Sequence, residues 1–252
     1  MSGTYLYGVV WSDDVEAVDV GRRAVAGAPL RAVHAGPLAV LASDAPGETL
    51  EATRDDLMAH AEVLQETAER VTVLPMQFGM VMPGDREAAE ELLEARRERL
   101  EALLTGLAGR VELELRAAYV EDAVLRDVVT SDAEVRRLRA RIRGVSEEAA
   151  YYDRIRLGEA VAAAIEQRRA NDADAIVSRL EALAVAVRVG TAAREADVLH
   201  ASFLVESDRV SEFDDAVTGL EEESEGLLRF KYLGPLAPHS FVDLEGEVPP
   251  WA

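Results

Sequence analysis

Val111–Val120 reads Val-Glu-Leu-Glu-Leu-Arg-Ala-Ala-Tyr-Val, and its apolar/polar alternation predicts a strand with Val111, Leu113 and Leu115 on one face. Downstream, Ser131-Asp132-Ala133-Glu134 has the form of a capping box opening a helix. Helical spacing continues through Tyr151, Ile155, Val161 and Ile165, with a break near Gly144, and again through Ile176, Leu180 and Leu183. Ala184–Val189 alternates once more, and Val198–Glu206 is another β-type run. Ser207–Glu223 carries Val210, Phe213, Val217 and Leu220 at helical spacing, and Gly226–Leu233 closes as a strand. Strand, long helical insert, strand, strand, helix, strand is the βαββαβ pattern of a ferredoxin-like fold with an enlarged first crossover.

Upstream the order differs. Thr4–Trp11 is β-branched and aromatic and suits a buried strand. Leu30–His34 and Pro37–Ala42, separated by Ala35-Gly36, read as a hairpin. A helix is expected from about Leu50 to Arg70, with Leu57, His60 or Ala61, and Leu64 on its apolar side. Val71–Met82 is too apolar for a surface loop, yet Pro75 and Gly79 interrupt it, so it predicts a broken strand or two short ones. Pro83-Gly84-Asp85 stops that strand, and Asp85 is the expected N-cap of a helix reaching Leu107, with Leu92, Leu93, Leu100, Leu103 and Leu104 inward. The chain therefore reads as an α+β protein of two domains: an N-terminal mixed α/β domain over 1–108, a ferredoxin-like domain over 109–242, and a tail over 243–252.

The composition narrows function. The 48 acidic against 27 basic residues give a net charge of −21, which repels nucleic acid and anionic membrane faces, so neither is expected as a partner. No apolar run approaches the roughly 20 residues needed to span a bilayer. Met1–Val10 lacks a basic segment followed by an apolar one, so a cytoplasmic location is expected. The absence of cysteine removes disulfides, thiolate metal sites and cysteine nucleophiles. Lys231 is the only lysine; GC-rich codon bias and a salt-rich cytoplasm both account for that.

Catalytic patterns are sparse. No glycine-rich phosphate loop or nucleophile elbow occurs, so no cofactor is expected. His60-Ala61-Glu62 has the spacing of a zinc deaminase motif whose cysteines are missing, so His60 reads as a structural histidine. His34, His60, His200 and His239 are scattered singly. Two charge clusters remain as candidate partner surfaces. One is Arg136, Arg137 and Arg139, continued by Arg141 and Arg143, suited to an acidic partner or another copy of the chain. The other is Glu221, Glu222, Glu223 and Glu225, at a helix end where the dipole disfavours anions. For both, a solvated surface is the plainer reading.

Three stretches together resemble the gas vesicle protein F/L family. They are Val73-Leu74-Pro75-Met76-Gln77-Phe78-Gly79, Gly109-Arg110-Val111-Glu112-Leu113, and Leu233-Gly234-Pro235-Leu236-Ala237-Pro238-His239-Ser240-Phe241-Val242. Tyr5-Leu6-Tyr7-Gly8-Val9 and Ala201-Ser202-Phe203-Leu204-Val205 also fit. Gln77 stands where the family commonly has arginine, and His239 where tyrosine is usual. Within these motifs Pro75, Phe78, Gly79, Gly234, Pro235, Pro238 and Phe241 read as architectural. The resemblance implies a non-enzymatic accessory or minor structural protein that binds the hydrophobic shell protein and other accessory proteins during gas vesicle assembly. A small-molecule regulatory module of ferredoxin-like type and an enzyme with a dispersed site are the alternatives.

Overall fold

The computed structural model describes residues 3–45, 47, 53–191, 194, 196–224, 226–245 and 249–252. The chain divides into two compact units: residues 1–113 with 204–207 and 234–252, and residues 114–203 with 208–233.

In the first unit, β1 (Thr4–Trp11) is the central strand. A short 3-10 turn (Ser12–Ala17) leads to the hairpin of β2 (Arg31–Ala35) and β3 (Leu38–Asp44). The predicted turn is present: Ala35 pairs with Leu38, and Gly36 takes the left-handed φ of 61° that a two-residue loop demands. Helix α1 (Arg54–Ala68) opens on Thr53, whose side chain accepts from the Asp56 N–H at 3.1 Å. The expected start near Leu50 lies outside the described residues.

The interrupted strand resolves into β4 (Leu74–Pro75) and β5 (Val81–Met82), both antiparallel to β1. The sheet runs β2-β3-β1-β4, with β5 also on β1. Pro75 has no N–H to give the ladder, and the chain leaves β1 just after it. Met76 N–H still donates to the Tyr7 carbonyl at 2.8 Å, and Leu6 N–H to that of Met80 at 2.9 Å. β1 carries a register shift between Leu6 and Gly8. Both faces of β1 and β3 are buried, with Tyr5, Tyr7, Val10, Ala39 and Leu41 in one cluster with Val63 and Leu64 of α1.

The second predicted helix is more broken than its periodicity suggests. It comprises α2 (Asp85–Glu87), a π-helical stretch (Ala88–Glu94) and α3 (Arg97–Leu107). Its five expected leucines are all buried. Gly84, not Asp85, is the N-cap. The Asp85 carboxylate instead accepts from Thr4 Oγ1 at 2.6 Å and from Arg31 at 2.7 and 3.1 Å, and the Arg31 guanidinium holds its pKa below the usual range.

The second sheet is built from β6 (Arg110–Tyr119), β7 (Ala186–Val189), β8 (Asp197–Glu206) and β9 (Leu228–Leu236), in the order β7-β8-β6-β9. Between β6 and β7 come α4 (Glu121–Ser131), α5 (Ala133–Ile142) and α6 (Glu147–Glu181), and α7 (Val210–Glu223) joins β8 to β9. This is the βαββαβ element order with an enlarged first crossover. Helix α4 has no counterpart in the sequence reading, because Val124, Val128 and Val129 are β-branched. The cap of α5 is Asp132, which accepts from Val135 N–H at 2.8 Å, while Ser131 ends α4. Strand β9 runs on through Gly234-Pro235, beyond the expected end at Leu233. Over the 35 residues of α6, only Ala150, Ile176 and Leu180 are buried; Tyr151 and Ile155 keep helical phase but stay exposed.

Candidate functional site

Most of the family-like residues sit in the first unit; Ala201–Phe203 and Leu233 belong to the second. The Phe78 ring meets Tyr5 and His60 edge-on at centroid distances of 6.0 and 5.6 Å, and His60 stacks on Tyr7 at 5.4 Å. His60 is buried and fully engaged: Nε2 faces the Met76 carbonyl at 3.1 Å and Nδ1 the Tyr5 hydroxyl at 3.0 Å. A carbonyl only accepts, so Nε2 carries the proton and Tyr5 donates to Nδ1. The Tyr5 oxygen accepts in turn from the N–H of Gly79, whose φ is 88°. Burial pushes the Tyr5 hydroxyl up to about 12, and burial lowers the His60 pKa. Gln77, beside this cluster, is exposed, so the position where the resemblance leads one to expect arginine faces solvent.

This chain of bonds has a pH consequence. The unfolded state takes up a proton near the ordinary histidine pKa of 6.5, whereas folded His60 resists it. The stability from neutral, bonded His60 is therefore complete above that value and is lost as pH falls below it. The His239 pKa is lowered as well, so the measurement is a difference between proteins. The margin in Tm between wild type and His60→Gln is expected to shrink from pH 7.5 to pH 5.5; a constant margin contradicts the assignment.

The closing motif is held at several points. Gly234 has φ 147°, and a Cβ there would lie 2.6 Å from Leu113 Cδ2 and 3.0 Å from the Glu112 carbonyl oxygen, so only glycine fits. The Gly234–Pro235 bond is cis, and the Pro235 carbonyl accepts from Gln65 Nε2 at 3.2 Å. Pro238 precedes a single 3-10 turn, His239–Phe241, in which Phe241 is buried and meets Trp251 edge-on at 6.2 Å. Buried Glu112 accepts from Ser240 twice, from its N–H at 2.8 Å and its hydroxyl at 2.6 Å. Two motifs far apart in sequence thus meet through one carboxylate. Sequence reasoning singled out neither Glu112 nor Ser240 as partners; the only signal was their presence in motifs that occur together.

The two charge clusters lie in the second unit, and no hydrogen bond or ion pair joins them among the described residues. Glu221 and Glu222 are exposed at the end of α7, and Glu223 pairs with Arg179 at 2.7 Å. Glu225 lies outside the described residues. On α5, Arg137 pairs with Glu134 at 3.5 Å and Arg141 with Asp153 at 3.2 Å. Among the described residues, Arg136 reaches only the backbone carbonyl of Asp132. With Arg139 and Arg143 it borders an open groove of about 780 Å³ along α5 and the end of α4, over Val129, Ala140 and Ile142.

A second depression in this unit, about 620 Å³, lies among α4, α6, the end of α7 and the start of β9, with Ile176, Leu220 and Phe230 as apolar lining. Its polar wall is charge-paired within the unit, although Arg168 Nε makes no hydrogen bond among the described residues. Arg168 bridges Asp127 and Asp172, and Asp172 accepts from the Tyr119 hydroxyl at 2.7 Å. Burial and the Asp172 carboxylate both raise the Tyr119 pKa. Among the described residues no group of three His, Cys, Asp or Glu is placed to hold a metal ion, and no helix is long and apolar enough to cross a membrane.

Residues 3–243 match the family model described as gas vesicle synthesis protein GvpL/GvpF. Over 95% of the chain and 99% of the relative, it is 38% identical to gas vesicle protein F of a Streptomyces species. With gas vesicle protein F of Haloferax mediterranei it shares 30% identity over 95% of this chain and 93% of that one. The crystal structure of the gas vesicle protein GvpF from an Anabaena species superposes with a TM-score of 0.82, at 24% identity, covering 95% of this chain and 98% of that one.

Proposed function

The chain belongs to the gas vesicle synthesis protein GvpL/GvpF family, and from that premise we propose that it binds the hydrophobic shell protein, with other accessory proteins, during gas vesicle assembly. Its role is non-catalytic: in the cytoplasm it holds shell subunits or their assembly intermediates and limits premature aggregation. The observation that carries this reading beyond the family is the exposed apolar row at the start of α6. Tyr152 is 78% exposed, Tyr151 59% and Ile155 45%. Exposed aromatic and aliphatic side chains within a charged surface are the composition of protein contact sites. The excess of 21 negative charges keeps a carrier of sticky subunits dispersed.

Co-purification with the shell protein tests this. Wild type is expected to retain it, and Tyr151→Ser/Tyr152→Ser/Ile155→Ser to retain roughly tenfold less, in line with the loss of two aromatic anchors. No retention by wild type, together with normal vesicles after deletion of the gene, sinks the proposal. The depression of about 620 Å³ favours one second reading, a small-molecule regulatory module, since it is of ligand size. A rise in Tm with a candidate effector is the measurement that speaks for that reading.

A further inference from the structure

We propose that the groove of α5 and the end of α4 is a docking site for an acidic amphipathic helix of a partner protein. Arg136, Arg139 and Arg143 follow one another at spacings of three and four, so they form one row on the helix face. The row extends about 10 Å, two helical turns. None of the three has a carboxylate partner among the described residues, although Arg137 and Arg141 on the same helix find Glu134 and Asp153. The attraction of arginine to the carbonyl end of α5 explains why cations gather there. It does not explain why the unpaired ones border the groove while the paired ones turn elsewhere.

Beneath the row, half-buried Val129 and Ile142, with Ala140, supply an apolar floor. A small anion would satisfy the guanidiniums and leave that floor wet. A helix with carboxylates at i, i+3 and i+7 and small apolar side chains between them satisfies both, which is the helix-in-groove mode of recognition. In a chain carrying 21 excess negative charges, an acidic partner is repelled elsewhere and finds its attraction here, so the row also fixes where and in which register it docks. The inference is independent of the vesicle reading, because its test uses no vesicle protein.

The test uses the full-length chain and two fluorescent helical peptides of identical apolar pattern, one with glutamate and one with lysine at i, i+3 and i+7. The glutamate peptide is expected to bind at least tenfold tighter than the lysine peptide, with affinity falling as salt rises from 50 to 500 mM. In R136E/R139E/R143E the preference is expected to invert; gain of the lysine peptide cannot come from a misfolded variant. The single Arg139→Glu, at a residue with no hydrogen bond or ion pair among the described residues, is expected to lose part of the affinity. Equal binding of both peptides to wild type, or an unchanged preference in the triple variant, overturns the proposal. So does salt-sensitive dimerisation of wild type that the triple variant abolishes, since the occupant is then a second copy of this chain.

Discussion

Phe213→Ala lowers the free energy of unfolding by about 3–5 kcal/mol, the range for emptying a buried phenylalanine site. Phe213 is fully buried in α7, and its ring lies 5.1 Å from Phe203 of β8 and 6.0 Å from Tyr232 of β9. One side chain thus seals the second crossover helix onto two strands of its sheet. Tyr232 is anchored by its hydroxyl, which donates at 2.6 Å to Asp214, the neighbour of Phe213 on α7, so it is poorly placed to swing into the void. Denaturant titration should show the midpoint falling with little change in slope. Tyr152→Ala removes a comparable ring that is 78% exposed and should stay within about 0.5 kcal/mol of wild type. If the two substitutions cost the same, the packing of α7 described above is wrong.

Gly8→Val costs about 3 kcal/mol or more, the upper end for overfilling a packed core. Gly8 lies on the central strand at its register shift, opposite Pro75. A Cβ there would sit 2.7 Å from Val73 Cγ2, 2.9 Å from the Leu74 carbonyl oxygen and 3.1 Å from Leu64 Cδ2. The carbonyl belongs to backbone fixed in the same ladder and cannot give way as a side-chain tip would. The contrasting site is Gly158, exposed inside α6 with nothing near its would-be Cβ. There, Gly→Ala removes backbone freedom from the unfolded chain and should raise stability by roughly 0.5–1 kcal/mol. Thermal unfolding of the two variants beside wild type should move Tm in opposite directions.

Much of the architecture was legible from local pattern alone. Thr4–Trp11 had to be a strand because it is β-branched, aromatic and apolar throughout, and a strand buried on both faces needs no alternation. The Val71–Met82 stretch announced its interruption through Pro75 and Gly79, and both short strands are present. Errors fell where a side chain had two uses. Asp85 has the chemistry of an N-cap, yet a guanidinium 54 positions earlier in sequence claims its carboxylate. Helix α4 was invisible because a valine-rich segment reads equally as strand until tertiary packing decides. The exposed Tyr151 and Ile155 kept helical phase, so periodicity gave the helix but could not show that nothing covers that face.

The candidate surfaces were legible as charge and illegible as geometry. The run Arg136–Arg143 showed that cations cluster on α5; which of them are neutralised within the fold depends on Asp153, on a different helix. Arg143, outside the three arginines first singled out, belongs with Arg136 and Arg139, and Arg137 does not. Glu112 was hidden for the opposite reason. A lone glutamate in so acidic a chain carries no signal until the chain brings Ser240 to it.

The clasp between Glu112 and Ser240 bears on how the protein is made. Ala237 shares one apolar cluster with Tyr5 and Tyr7, and residues 234–252 belong to the first compact unit. A ribosome emits the chain in order, at about 5–20 residues per second. The first unit must therefore wait on the order of ten seconds after Leu113 emerges, until its closing residues are synthesised. During that interval a strip of its core stands open on the nascent chain. Faster translation, or better shelter for the nascent chain, is therefore expected to raise the share of the protein that folds intact.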